Sequence, residues 1–372
     1  MRFGVNMRRL EGQRLGIGRY LENLLRHWGT SLSSGENMVL YLREQLREQD
    51  NWIRNTFETE VVGPRLTGMT WENISLPPKL KDVDLFFGPS YSLPLAFKGP
   101  TVVATHSHNE LAPGAHSWWY HLTYTQLYKR SAEKARKVIV PSPAVLEGVH
   151  HHYGIPYEKL EVVREGAPDN FTPVTDAEVL RKTRLEYTGS DKPYILFVGK
   201  FSARRNIPLL IRAFAQLKKR HSIEHNLLLL GPNHLNLPLD ELIDELGVRD
   251  SVTVTNRSFA NHDDIIPVFS AADLYAFPSL NEGASNTTVE AMACGAPVVA
   301  GRCEALSDIV EGSGILIDNV TEDSLYSALA QPLLDRALWS GMRERGLAKA
   351  ATLRWGTTAQ RTLDIMREAT RA

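Results

Sequence analysis

Residues 281–299 read Asn-Glu-Gly-Ala-Ser-Asn-Thr-Thr-Val-Glu-Ala-Met-Ala-Cys-Gly-Ala-Pro-Val-Val. The apolar run Leu274-Tyr275-Ala276-Phe277-Pro278 just before them reads as a buried strand, and the helix formers that follow stop at Gly295 and Pro297. Glu282 is therefore predicted on a strand-to-helix loop and Glu290 in the first turns of a helix. Between them Ser285, Asn286, Thr287 and Thr288 suit a helix start, where the leading backbone N–H groups lack intrahelical partners. Such a terminus accepts phosphate. One carboxylate before that point and one just inside the helix are placed to accept hydroxyl hydrogen bonds on either side of a diphosphate, which is the layout of a sugar nucleotide. A Glu in a first helical turn is also favoured by the helix dipole with no ligand present.

The same strand-then-helix alternation extends outward in both directions. Towards the N-terminus it gives strands at Val252 to Val254, Leu227 to Leu230 and Tyr194 to Val198, with helices at Leu239 to Leu246 and Ile207 to Leu217. Further back, strands are predicted at residues 2–6, 39–42, 59–62, 85–88 and 101–105. This is the pattern of a doubly wound α/β sheet, met twice. Residues 169–192, rich in Pro, Asp, Thr and Gly apart from a short helix near Val179 to Leu185, read as a linker between domains 1–168 and 193–356. The tail from Thr321 is helical, with a break expected at Trp355-Gly356-Thr357-Thr358 before a final helix over 357–372. A chain of 372 residues exceeds one typical core, in agreement with two domains.

Composition narrows the function. Forty-two basic residues against 43 acidic ones give a net charge of −1, so no overall field attracts nucleic acid. Cys294 and Cys303 are too few for a disulfide framework and lack metal-site spacing, which favours a reducing cytoplasm. No stretch approaches the roughly 20 apolar residues that span a bilayer. Any membrane contact is expected to be peripheral, through the first domain.

Several local motifs bear on chemistry. After the strand at 194–198 comes Gly199-Lys200-Phe201-Ser202-Ala203-Arg204-Arg205-Asn206. Cations before a helix start oppose the macrodipole, and an anion there would remove the conflict. A solvated basic loop is the alternative. The first strand leads into a polar loop with Arg8, Arg9, Gly12 and Arg14, then Gly16-Ile17-Gly18-Arg19-Tyr20 and an amphipathic helix. Gly-x-Gly suggests a dinucleotide site, but the third Gly is absent and the loop is long, which speaks against a dehydrogenase. Asp82-Val83-Asp84 resembles a metal and diphosphate motif but simply precedes the strand at 85–88. His106-Ser107-His108-Asn109-Glu110 stands where a strand ends, the side on which open α/β sheets bind ligands; a structural cap is the other reading of His106. Trp118-Trp119-Tyr120 with Tyr124, Leu127 and Tyr128 forms an aromatic helix, either core or a sugar- or lipid-facing surface. His150-His151-His152 looks like a metal tract, yet consecutive helical residues point in different directions.

Glu-Gly-x-Ser-Asn-x-x-x-Glu-Ala-Met-Ala-Cys-Gly-x-Pro-Val-Val over residues 282–299 resembles the donor-binding signature of family-4 retaining glycosyltransferases (glycosyl transferases group 1) with the GT-B fold. The chain departs from it where many members carry Phe-Gly-Leu-Pro and this one has Ala284-Ser285-Asn286-Thr287. The resemblance also takes in the Gly16 loop, His106 and the basic loop. It implies two Rossmann-like doubly wound domains facing a cleft, with a last helix that crosses back to the first domain. It implies a hexosyltransferase that moves a sugar with retention from a UDP- or GDP-sugar to a glycan, lipid-linked or small-molecule acceptor. Glu290 is then expected to bond the ribose and Glu282 a hydroxyl of the transferred sugar. Lys200, Arg205 and the N–H groups around Ser285, Asn286 and Thr287 would meet the diphosphate, Gly16 and Gly18 would face it across the cleft, and His106 would lie near the sugar. The nucleobase is expected near Arg257 to Phe259. No metal or other cofactor is expected, since the two basic positions and the helix start supply the charge. The rival functions are a sugar-nucleotide epimerase or hydrolase of the same architecture, and a non-catalytic nucleotide-sugar-binding protein.

Overall fold

The structure, a computed structural model, describes residues 1–11, 16–107, 118–257, 259 and 261–371, with only the backbone of Trp119, His121 and Leu122. Gly12, Arg14, His108, Asn109 and Glu110, singled out above, lie outside the described residues. The chain divides into two units, Met1–Glu165 together with Trp355–Ala372, and Gly166–Arg354. Residues 169–192 belong to the second unit. They include the helix Ala177–Thr188, which Asp176 caps by accepting from the N–H groups of Glu178 and Val179.

In the first unit, strands β1 (Arg2–Asn6), β2 (Asn37–Leu42), β3 (Glu58–Val61), β4 (Leu85–Gly88), β5 (Thr101–Ala104), β6 (Lys137–Val140) and β7 (Leu160–Val162) form a parallel sheet. Its order is β3-β2-β1-β4-β5-β6-β7. Side chains alternate across it, as the two-residue period of a strand requires. Phe3, Val5, Leu40, Phe87 and Ile139 pack on one side with the helix Ile17–Ser31 and the last helix, Trp355–Arg371. Val39, Tyr41, Phe86, Val138 and Val140 pack on the other. The last helix is tied down by the Trp28 indole N–H donating to the Ala359 carbonyl at 2.9 Å and by Arg367 pairing with Glu36 at 2.7 Å. The break expected at 355–358 falls earlier, at residues 352–354, where Arg354 donates to the carbonyls of Pro168 and Phe171.

The second unit holds β8 (Tyr194–Val198), β9 (Asn226–Leu230), β10 (Val252–Thr255), β11 (Ala272–Phe277), β12 (Val298–Gly301) and β13 (Ile315–Ile317). The order is β10-β9-β8-β11-β12-β13, again parallel. β8 and β9 are buried along their whole length, which explains the apolar runs Tyr194–Val198 and, after Asn226, Leu227 to Leu230. In both sheets the order reverses at one place, between β1 and β4 and between β8 and β11. The crevice outside the strand ends at such a switch point is where this class of sheet takes ligands.

Candidate functional site

The switch point of the second sheet brings together the two loops singled out in the sequence. The loop after β8 starts at Gly199, whose φ of 145° and lack of a side chain are both needed, since a Cβ there would lie 2.7 Å from Arg205 Nη1. A 3₁₀ turn over Ala203–Arg205 and a left-handed Asn206 then delay the α-helix to Ile207–Arg220. Asn206 is fixed by its amide donating to the Pro278 carbonyl at 3.0 Å, and the Leu280 N–H bonds the Arg204 carbonyl at 2.9 Å. The loops after β8 and β11 are thereby stitched together.

Glu282 is the centre of this joint. Its side chain is only 4% exposed. Oε1 accepts from Arg205 Nε at 2.8 Å and from the Ser279 hydroxyl at 3.0 Å, and Oε2 accepts from Arg204 Nη2 at 3.0 Å and Arg205 Nη2 at 3.4 Å. A carboxylate offers about four lone-pair sites, and all are used. The anion called for by the cations of the basic loop is therefore provided by the chain itself. Arg205 also lies over the Phe277 ring at 5.2 Å and donates to the Lys200 carbonyl at 2.9 Å. The Lys200 side chain, a third cation on this loop, is exposed.

The helix after this loop is Asn286–Ala293, with Ser285 at its N-cap position but no side-chain capping bond. Instead the Ser285 hydroxyl pairs with that of Thr288 at 2.7 Å, and the Tyr275 hydroxyl donates to Thr287 Oγ1 at 2.9 Å. Burial pushes the Tyr275 hydroxyl pKa well above its ordinary value, so it stays a donor. Glu290, fully buried, meets His262 Nε2 at 2.9 Å, and the His262 ring stacks on Phe171 with centroids 5.1 Å apart. Arg257 pairs with Glu186 at 2.6 Å and lies over Tyr187, onto which Phe259 also stacks. Arg204, Ser279 and His262 were not among the site residues expected from sequence. Arg204 carried a signal as a neighbour of Arg205, whereas a lone His262 in a polar turn carried none.

In the first unit, His106 is held on both ring nitrogens, by the Pro89 carbonyl at 2.8 Å and by Glu165 Oε1 at 3.1 Å. A carbonyl only accepts, so Nε2 donates to Pro89. Tyr20 and Tyr91 pack edge-on against the ring. Gly16 and Gly18 line a cavity at the start of the helix Ile17–Ser31. Asp84 accepts from the Arg2 N–H at 2.7 Å, a strand-start contact, and His150 bonds the Ile155 carbonyl at 2.8 Å. Among the described residues, no group of three or more His, Cys, Asp or Glu side chains is placed to hold a metal ion. Nor is any helix among them long and apolar enough to cross a membrane.

Residues 16–170 match the family described as Glycosyltransferase Family 4, and residues 192–335 match Glycosyl transferases group 1. The chain is 30% identical to the D-inositol 3-phosphate glycosyltransferase of Corynebacterium kroppenstedtii, over 64% of this chain and 54% of that one. It is 24% identical to the O-antigen chain mannosyltransferase B of Escherichia coli, over 63% of this chain and 61% of that one. The chain thus spans between half and two thirds of the length of these curated relatives. Among solved structures, Anabaena HepE in complex with UDP and glucose superimposes with a TM-score of 0.78 at 19% identity, covering 99% of this chain and 100% of that one. That likeness shows the two-domain GT-B fold.

Proposed function

The chain belongs to the glycosyltransferases of group 1 and family 4, and we propose that it moves a hexose from a UDP- or GDP-sugar to a sugar-like acceptor, with retention and without a metal ion. The observation that carries this is the joint at the second switch point. There Glu282, Arg204 and Arg205 meet in front of the helix that bears Glu290. Three cations against one carboxylate leave this loop net positive, as a departing diphosphate requires. Donors fixed before the reaction stabilise charge developing on a leaving group most effectively. Lys200, Arg205 and the start of the helix Asn286–Ala293 fill that role, which makes a metal unnecessary. Glu290 and His262 bond the ribose edge.

Glu282 has no spare lone pair, so a hydroxyl of the transferred sugar takes the place of one arginine. Arg204 is the one exchanged, because its side chain is 41% exposed against 17% for Arg205. The bond change is a same-face displacement assisted by the leaving phosphate. A UDP-sugar is the first donor to try, since HepE is solved with UDP and glucose. Acceptors follow the names of the relatives, which act on an inositol phosphate and on an O-antigen chain.

The test is to follow nucleoside diphosphate release from UDP- and GDP-sugars in excess EDTA, with and without candidate acceptors, and to read the anomer of early product by proton NMR. Acceptor-dependent release in EDTA with retained configuration is expected. Inverted product, or loss in EDTA that magnesium or manganese restores, contradicts the mechanism. Release or isomerisation without acceptor points to a hydrolase or epimerase.

A further inference from the structure

The first unit has a cavity of about 610 Å³ whose lining includes Arg8, Arg9, Arg43, Gly16, Gly18 and Tyr128. That volume is in the range of small-molecule sites. Arg8 and Arg9 follow β1 and Arg43 follows β2, so three guanidiniums gather at the carboxyl ends of adjacent strands, beside the first switch point.

These arginines are held in place. Arg8 Nη1 lies 3.5 Å from Glu72, a fully buried carboxylate that also accepts from Asn6 at 2.7 Å and Ser92 at 2.5 Å. Gly68 leaves the room for it, since a Cβ there would come within 2.9 Å of Arg8 Nη1. Arg43 is locked by Glu11, which accepts from its backbone N–H at 2.7 Å and its Nε at 2.8 Å. Arg9 differs. Its Nε donates to the Ser90 hydroxyl at 3.0 Å, and among the described residues it has no carboxylate partner. Three cations against two carboxylates leave this wall positive, with the excess on Arg9. Tyr128, close enough to Arg8 and Arg9 for their charges to act on its hydroxyl, stacks on Tyr91 at 5.0 Å. An aromatic face beside guanidinium forks suits a ring that carries an anionic group, because the forks match phosphate and carboxylate alike.

We infer that this cavity holds the acceptor and that the acceptor is a sugar or polyol ring bearing a phosphate or carboxylate, with Arg9 as the residue that selects the charged form. The inference rests on the glycosyltransferase reading. Titration calorimetry on the full chain tests it with glucose 6-phosphate, glucuronate and glucose as probes. A charged probe should bind at least about tenfold more tightly than glucose, and Arg9→Gln should cost it about tenfold, the size of one charge-assisted hydrogen bond. The ranking of glucose 6-phosphate against glucuronate names the anion. Lys200→Ala, which alters the basic loop of the second unit, should leave this affinity unchanged. Glucose binding as tightly as both charged probes, no binding of any probe, or a loss in Lys200→Ala without one in Arg9→Gln overturns the inference. A charged probe that binds as expected but takes no sugar from any nucleotide sugar removes the acceptor role, whereas nucleoside diphosphate release that no acceptor stimulates is failure of the transferase reading, distinct from failure of the anion site.

Discussion

The two sheets use the same topological device with different residues. At each switch point, arginines on the loop after the first strand reach the loop after the neighbouring strand. In the second unit Arg204 and Arg205 find Glu282 there, two guanidiniums on one carboxylate. In the first unit Arg8 and Arg9 find Ser92 and Ser90, and a carboxylate, Glu72, lies buried behind Arg8. Topology thus fixes where the arginines go, and one residue type on the opposing loop decides whether they meet a carboxylate or a neutral hydroxyl. A serine orients a guanidinium without neutralising it.

The comparison breaks most visibly at Glu72. If this carboxylate is the support for Arg8, Glu72→Ala leaves a guanidinium uncompensated in a buried setting and should destabilise the first unit by about 3–5 kcal/mol. Glu72→Gln, which keeps hydrogen-bonding capacity, should lose less. Urea unfolding of both variants measures this, and equal small losses would show that Arg8 needs no buried partner.

Next in size is the split between the two arginines on Glu282. Arg205→Ala should lower kcat by about 10²–10³, the usual effect of removing one preorganised donor. Arg204→Ala should stay within roughly tenfold of wild type, because in the proposed exchange substrate takes the place of that side chain. Initial rates at saturating donor separate them. A larger loss for Arg204→Ala would reverse the assignment.

The smallest effect concerns an ion pair at the opposite end of the first unit's strands from its switch-point crevice. Hydrogen bonding to Arg367 holds the Glu36 carboxyl below its usual pKa. A depressed carboxyl adds stability above its unfolded pKa, near 4.3, and that contribution fades as pH falls through this value towards the folded one. Glu36→Gln should therefore lower the melting temperature by about 2–4 °C at pH 7, with the gap to wild type closing below about pH 4. A gap independent of pH would mean that the pair contributes nothing through its charge.

How far these features were legible in the sequence depended on the length of the signal. β8 and β9 are five buried residues each and announced themselves as apolar runs, as did the helix Ile17–Ser31 through its amphipathic stripe. β7 and β13 have three residues each, too few for a period to show. Lys200, Arg205, Glu282 and Glu290 stood out in the sequence because they sit on a recognisable spacing. That Arg205 would bond Glu282, 77 residues away, was not readable, because it follows from β8 and β11 being neighbours in the sheet. The same holds for His262 on Glu290 and for the arginines on Ser90 and Ser92, where loops distant in sequence meet only through strand order.

The central claim is that the strand–loop–helix segment from Glu282 to Glu290 divides its work, with the buried helix residue serving the nucleotide and the loop residue serving the sugar. Calorimetric titration of wild type, Glu290→Ala and Glu282→Ala with the free nucleoside diphosphate tests it most directly. Glu290→Ala should weaken binding by about tenfold or more, because a hydrogen bond to a charged group is lost. Glu282→Ala should bind the sugar-free nucleotide within a few-fold of wild type and yet turn over poorly. Equal affinity losses in the two variants, or none in Glu290→Ala, would contradict the account.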